Sequence, residues 1–388
     1  MKPLYLHPGR ERRILHGHRW VFSNEIAGAL SEYEPGSWVE VFSAKGVPLG
    51  SGYINPASLI SVRLVCPPGR KPDASFFRDT MMRAARHRES VYPGSRCHRL
   101  IYGEADGLPG LVVDRYGDVL ACQVGTLGMA KLEPLMHELL ADLFNPSALV
   151  SRNDGASRVL EGLPQEKGIA SGSLPEKHLV EIDGIGYRVD VLGGQKTGMY
   201  LDQRDNRREI RRWAPGKKVL DLFCYNGAWS LSAAAGGAVE TVGVDGSADA
   251  VARARENASL NEFGSRSTFV AEDVFAFLKK VRPGQFDIII LDPPAFAKTK
   301  SALADARKGY TDINRRALLA LKPGGILITC SCSYHMGEDL FREVLLGAGQ
   351  ASGRSLKLLQ VRGQALDHPA LLAMPETRYL KCFFVEVV

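Results

Sequence analysis

The sequence predicts an α/β architecture in three parts: a doubly wound domain at residues 190–388, a β-rich domain at 1–70 and a central α+β domain at 73–189. Three observations carry that reading. After residue 190, apolar runs alternate with amphipathic stretches, the pattern of parallel strands crossed by helices. The stretch 219–237, VLDLFCYNGAWSLSAAAGG, passes from an apolar run through a small polar loop into an alanine-rich helix. Residues 67–72, PPGRKP, read as a linker after a segment dense in turn signals.

At 388 residues the chain is too long for one ordinary core. Its net charge of +6 is only mildly basic, so local clusters say more than the total. One holds Lys2, Arg10, Arg12, Arg13 and Arg19; a second runs through 78–99 with Arg83, Arg86, Arg88 and Arg96; a third spans 204–218 with Arg207, Arg208, Arg211, Arg212 and Lys217. Such clusters are either a footprint for a polyanion or solvated helix faces. Seven scattered cysteines without a C-x-x-C pair argue against a disulfide framework. The basic N-terminus lacks an apolar signal region and no apolar run approaches a membrane span, so a cytoplasmic protein is expected.

In the first domain, β-branched runs at 38–42, 48–53 and 59–65 are punctuated by Pro35-Gly36, Lys45-Gly46 and Asn55-Pro56. The segment GHRWVFSNEI, 17–26, joins a basic entry to Trp20 and Phe22, aromatics that either stack on bases or fill a small core. The central domain opens with a helix at 75–88, capped near Asp73 or Ser75, with Phe76, Phe77, Met81, Ala84 and Ala85 as its apolar face. Runs at 111–113 and 119–124 predict a hairpin turning at 114–118. A helix at 129–143, strands at 148–151 and 187–191, and a surface excursion at 154–167 follow. In the last domain strands are expected at 218–222, 241–245, 267–270, 286–291, 325–330 and 379–388. Helices are expected at 228–235, 248–261, 274–281, 301–321 and 338–348.

Ligands of such a sheet sit at the carboxyl ends of its strands, where Asp221, Asp245, Asp273 and Asp292 fall. Asn226-Gly227 suits a tight turn, since Gly, and often Asn, tolerates positive φ. Asp245, about 20 residues beyond the first loop, suits the two hydroxyls of a ribose. The loop FCYNG, 223–227, lacks the G-x-G-x-x-G that admits a pyrophosphate, so a nucleoside without phosphates fits better than a dinucleotide.

Over 190–388 these features resemble the class I S-adenosylmethionine (SAM) methyltransferases, which share a Rossmann-like fold. The strongest point is Asp292-Pro293-Pro294, similar to that family's [DNS]-P-P motif. The prolines cannot extend the sheet and fix the turn. The resemblance implies SAM as cofactor, held by Asp221, Phe223, Asn226, Gly227, Asp245, Ser247, Asp273 and Asp292, with Pro293, Pro294 and Phe296 meeting the substrate. The segment QKTGMYLDQRDNR, 195–207, precedes the first strand, where Gln195 and Arg204 are expected over the cofactor, an Arg or Lys pairing with its carboxylate. The plainer alternative is a capped surface turn.

The segment ITCSCSYHMGED, 328–339, bears on what is methylated. Carbon-5 of cytosine becomes nucleophilic only after a thiolate adds to carbon-6, which requires a cysteine beside the methyl donor. Cys330 and Cys332 share a face while the segment stays extended. The S-C-S with an acid six residues later, Glu338, is similar to the T-C-S segment of RNA 5-methylcytosine methyltransferases, which implies Cys332 as nucleophile and Cys330 as packing. Many of those enzymes carry a second cysteine after D-P-P; here Ala295-Phe296 stands in its place, leaving adduct release to Asp292 or a water and letting Phe296 stack on the target base. Cys224 lies on the cofactor side, outside the chemistry.

Three segments, GHRWVFSNEI, EADGLPGLVVDRYGD at 104–118 and GGQKTGMYLDQRDNR at 193–207, look like signatures of the bacterial ribosomal RNA large subunit methyltransferase I family. That resemblance spans nearly the whole chain and implies a PUA domain, a central domain and a SAM-binding domain. It also implies methylation of carbon-5 of a cytosine in 23S rRNA, and a homodimer. The alternatives are nitrogen methylation of a guanine or adenine on the same fold, which needs no thiol, and an RNA-binding factor that keeps SAM as a structural ligand.

Overall fold

The structure is a computed structural model that describes residues 1–296 and 301–388. The chain folds into two compact units. The first comprises Met1–Val180, Val189–Leu201 and Leu366–Thr377; the second comprises Glu181–Arg188, Asp202–Ala365 and Arg378–Val388. The first 180 residues share one unit and residues 189–201 stay with it, while a six-stranded sheet lies wholly within the first 70 residues, where a β-rich domain is expected.

Two sheets build the first unit. Strands β1 (Lys2–Leu6), β2 (Trp20–Val21), β3 (Ile26–Ala27), β4 (Trp38–Phe42), β5 (Pro48–Ile54) and β6 (Val62–Cys66) lie in the order β2-β6-β5-β4-β1-β3. Alternation along β4 turns Val39 and Val41 inward, onto Leu4, Leu6, Ile54 and Val62. Trp20 stands on the edge strand, its Nε1 donating to Glu104 over 2.8 Å with the Arg63 guanidinium 5.3 Å from its ring centre. The second sheet orders β7 (Cys97–Tyr102), β8 (Leu111–Tyr116), β9 (Val119–Val124), β10 (Ala148–Asn153) and β11 (Glu166–Gly172) as β11-β10-β9-β8-β7. The helix Ala74–Val91 is capped by Asp73, whose Oδ1 accepts from the Phe76 N–H, and it buries Phe77, Met81 and Ala84.

Several expectations for the chain before β14 (Lys218–Leu222) are corrected. The hairpin turn is shorter than 114–118, because β8 continues to Tyr116 and carries Asp114 fully buried. Burial is tolerable because Arg99 binds both Asp114 oxygens at 2.8 Å and Thr197 donates a further bond at 2.5 Å. The helix expected at 129–143 is two helices, Leu127–Ala130 and Glu133–Phe144. Pro134 lacks an N–H and its ring excludes the carbonyl four residues earlier, so one continuous helix cannot pass. The excursion at 154–167 carries the short helix Ser157–Leu160 and the start of β11. The strand expected at 187–191 is instead β13 (Ile185–Arg188), paired with β12 (Leu179–Ile182). The basic clusters are not continuous stripes either. Arg88 is buried on Asp106, and Arg99, Arg204 and Arg207 are also buried.

The second unit is a seven-stranded sheet: β14 (Lys218–Leu222), β15 (Glu240–Asp245), β16 (Ser267–Ala271), β17 (Phe286–Leu291), β18 (Leu321–Ser331), β19 (Leu356–Arg362) and β20 (Lys381–Val387), ordered β16-β15-β14-β17-β18-β20-β19. The first five in that order run parallel, and β20 runs antiparallel to both neighbours. Leu220, Leu222, Ile289 and Leu291 pack on one core and Val219, Ile288 and Ile290 on another, the two-sided burial that gives continuous apolar runs. Helices Ala228–Ala235, Ala248–Leu260, Val274–Leu278, Leu303–Ala320 and Glu338–Ser352 connect the strands. Strand β19 is the one element of this sheet absent from the sequence reading. It is an edge strand whose partly exposed residues carry no clean alternation. The chain leaves β14 in one direction for β15 and β16, then returns to β17 on its other side. That reversal opens a crevice at the carboxyl ends of β14 and β17. Among the described residues no helix is long and apolar enough to cross a membrane.

Candidate active site

Asp221, one residue before the end of β14, is fully buried. Its Oδ2 accepts from both the N–H and the hydroxyl of Ser230, at 3.0 and 2.7 Å, while Oδ1 has no hydrogen-bond partner among the described residues. Burial pushes this carboxyl up to about 7, opposed by the Ser230 bonds and assisted by the charges of Asp292 and Asp245. The following loop is strained. Phe223 (φ 65°), Tyr225 (φ 47°) and Gly227 (φ 81°) lie in the left-handed region. The turn is therefore not made by Asn226-Gly227 as a pair; Asn226 keeps negative φ and points a buried Nδ2 without a partner. Only glycine serves at 227, since a Cβ there would stand 2.9 Å from the Phe269 ring.

At the end of β15, the Asp245 oxygens accept one bond each, from the N–H groups of Tyr225 and Ser247, both 2.9 Å. The carboxylate stays partly exposed and each oxygen keeps a lone pair for a further donor. Ser247 caps the next helix, its Oγ accepting from Ala250 N–H. Asp273 is exposed and caps the helix Val274–Leu278 through Ala276 N–H at 2.8 Å.

Beyond β17, Asp292 is held on both oxygens: Gln203 Nε2 lies 3.1 Å from each, and Trp229 Nε1 lies 3.0 Å from Oδ2. Gln203 is oriented in turn by Asn206, which donates to its Oε1 at 2.7 Å. Burial raises the Asp292 carboxyl, and the nearby charge of Asp202 adds to that, against the two N–H donors. Pro293 is buried and Pro294 exposed. Phe296 lies on Tyr310 with ring centres 4.6 Å apart. The Tyr310 hydroxyl meets Ser331 at 3.1 Å and Ser333 at 3.4 Å, bracketing Cys332.

Strand β18 ends at Ser331, so Cys332 lies just past it, half-buried, while Cys330 is wholly buried opposite Cys382 in register. The shared face expected for the two cysteines does not persist, because the extended segment stops between them. Burial raises the thiols of Cys330 and Cys224 well above their usual range, leaving both neutral. Lys381, the first residue of β20, donates to the carbonyls of Ser333 at 2.7 Å and Tyr379 at 2.8 Å.

Two expected cofactor residues already have partners of their own. Arg204 is buried and its Nε and Nη2 grip Asp183, from 2.5 to 3.2 Å, so its charge is already answered. Gln195 falls in the first unit, exposed, accepting from the Tyr200 hydroxyl at 2.6 Å. The structure thus brings together Asp221, Asn226, Gly227, Asp245 and Asp292, with Phe296 and Cys332 beyond. Trp229, Tyr310 and Lys381 join them from places no motif marks, and Gln203 joins them from the polar segment 195–207 that is expected over the cofactor.

These residues fit SAM by a test independent of motif. The buried Asp221 Oδ1 and Asn226 Nδ2 are an acceptor and a donor without partners among the described residues, suited to an amino acid's ammonium and carboxylate. Asp245 retains acceptor capacity for two hydroxyls. A model of S-adenosylmethionine-dependent methyltransferases matches residues 165–360, and a model of PUA-like domains matches residues 4–67. The ribosomal RNA large subunit methyltransferase I of Cronobacter sakazakii is 39% identical over 392 residues, 99% of each chain. That of Shewanella denitrificans is 42% identical over 384 residues, 97% of each. Among solved structures, a Streptococcus mutans protein described as SAM-dependent methyltransferase superposes with a TM-score of 0.85 at 22% identity, and SMU.776, solved with SAH, with 0.87 at 23%; each match covers both chains completely. Those two show the fold. With the full-length relatives and the matched domain models, they establish that this chain belongs to the ribosomal RNA large subunit methyltransferase I family, whose cofactor is S-adenosylmethionine.

Proposed function

We propose that this protein methylates carbon-5 of a cytosine in 23S rRNA through a covalent adduct with Cys332. The names of its relatives support ribosomal RNA of the large subunit as substrate. The observation that carries the cytosine reading is Cys332 itself: of the seven cysteines it alone is not buried, and it lies at a strand's carboxyl end. When bound, SAM supplies a methyl group on a sulfonium. Asp221, Asn226 and the Gly227 turn hold its amino acid end, and Asp245 its ribose. Asp273 and Ser247 lie on the same strand ends, though each already caps a helix.

Cys332 Sγ adds to carbon-6 of the cytosine, and the electron pair of the ring double bond moves to carbon-5, which takes the methyl group. Loss of the carbon-5 proton then returns the pair and expels the sulfur. Asp292 is the acceptor for that proton, its carboxyl raised by burial and held still by Gln203 and Trp229. Pro293, Pro294 and Phe296 shape the entrance for the base. The PUA-like domain grips the RNA, which is read through unpaired nucleotides, with Trp20 at the edge of its sheet as an aromatic contact. The protein works in the cytoplasm, as a homodimer.

Mapping 5-methylcytosine in rRNA from cells with and without the protein tests substrate and reaction together: one mark disappears with the gene. A missing methyl group on a guanine or adenine instead would replace this reading with nitrogen methylation. Cys332→Ala is expected to abolish transfer, and near wild-type transfer by that variant refutes the adduct.

A further inference from the structure

A lysine in the last strand of a sheet carries no sequence signal, yet Lys381 is placed with care. It pairs in register with Ser331, the last residue of β18, so it stands beside the point where the chain turns out through Cys332. Its side chain is 8% exposed, and its Nζ is anchored on the carbonyls of Ser333 and Tyr379. A lysine ammonium has three donors, and these two bonds leave one. Burial lowers its pKa to about 8, the charge on Cys332 raises it, Arg378 lowers it and Glu338 raises it.

A cation this buried needs an anion close by. Glu338 is the obvious one, but its carboxylate is shared between Arg378 at 3.1 Å and Arg342 at 3.6 Å. Tyr310 also faces Cys332, and burial keeps its phenol neutral. Among the described residues, the remaining neighbour that can carry a negative charge is the Cys332 thiol. We propose that Lys381 is the counter-charge of Cys332, holding its sulfur as a thiolate when it adds to the pyrimidine ring and again when it is expelled.

The proposal rests on the reading of Cys332 as nucleophile. Its proton balance is simple: the thiol proton leaves to solvent before the substrate binds, and Lys381 keeps its own throughout. The Sγ–C6 bond then forms from a sulfur lone pair. On release the bond's electrons return to sulfur, whose negative charge again faces the ammonium. Lys381 thus acts through Cys332, as a positioning residue.

The test is the pH dependence of Cys332 alkylation by iodoacetamide in the full-length protein, read by peptide mass spectrometry. The other six cysteines are buried and serve as internal controls. The wild-type midpoint is expected below the ordinary thiol value of roughly 8.5. Lys381→Met is expected to move it up by about one unit, which slows alkylation at pH 7 about tenfold, and Lys381→Arg to restore most of the rate. A wild-type midpoint at or above the ordinary value overturns the proposal even if the Met variant does not fold. So does an unmoved midpoint in a folded Lys381→Met protein. If Cys332→Ala abolishes methyl transfer while the midpoint ignores Lys381, the ion pair alone is wrong; if transfer survives Cys332→Ala, the nucleophile assignment beneath it falls.

Discussion

The indole N–H of Trp229 donates to Oδ2 of Asp292 over 3.0 Å, tying the helix after β14 to the turn that closes β17. The two residues are 63 positions apart in sequence and meet because the strand order reverses between β14 and β17. Trp229→Phe keeps an aromatic side chain, smaller than the indole, but removes the donor, leaving Oδ2 of a desolvated carboxylate with Gln203 as its donor among the described residues. We expect a loss of about 1–3 kcal/mol in urea unfolding, together with a fall in methyl transfer. Unchanged stability and rate would show that the bond does not hold the Asp292 turn.

Asp221 gives the site a pH dependence whose sign is fixed. Its folded value of about 7 lies above the usual carboxylate value, so the protonated form favours the fold. In the SAM-free protein this contribution is full at pH values below the unfolded carboxyl's and is lost as pH rises toward and through 7. Binding of SAM, which carries an ammonium and a sulfonium, favours the ionised form, so its affinity should rise from pH 6 to 8. Calorimetric titration of SAM across that range checks this, and Asp221→Asn should flatten the slope.

Gly227→Ala places a methyl group 2.9 Å from the Phe269 ring at a backbone with φ of 81°. Strain of about 1–3 kcal/mol is expected from the backbone alone, with weakened SAM binding as the loop shifts. Fluorescence-monitored SAM titration alongside thermal unfolding separates the two effects.

Cys330 and Cys332 should divide cleanly. Cys330→Ala shortens a buried side chain and is expected to cost about 1 kcal/mol while transfer persists, because its thiol stays neutral in the core. Loss of transfer without loss of stability in that variant would reverse the assignment of the two cysteines.

In the first unit, Asp114→Ala leaves Arg99 buried without its bidentate partner, at an expected cost of about 3–5 kcal/mol. Chemical unfolding measures it, and a cost below about 1 kcal/mol would show that the pair is replaceable.

Much of the second unit was legible in sequence for a physical reason: strands buried on both faces must be continuous apolar runs, and β14, β17 and the helix Ala228–Ala235 fall where those runs do. Edge strand β19 lacked that signal because water covers much of it. The four acids at strand ends were legible too, since a polar residue ending an apolar run stands out in one dimension. Their partners were not. Trp229, Tyr310 and Lys381 look like core or surface residues locally, and nothing in the run 204–207 shows that Asp183 answers the charge of Arg204. The sequence by itself determined the parallel strands of the sheet and its ligand edge. Only the tertiary structure decided which carboxylates stay open, which cation is already neutralised and which lysine is anchored on the Ser333 carbonyl beyond β18, because pairing and desolvation depend on neighbours that the chain brings together from distant positions.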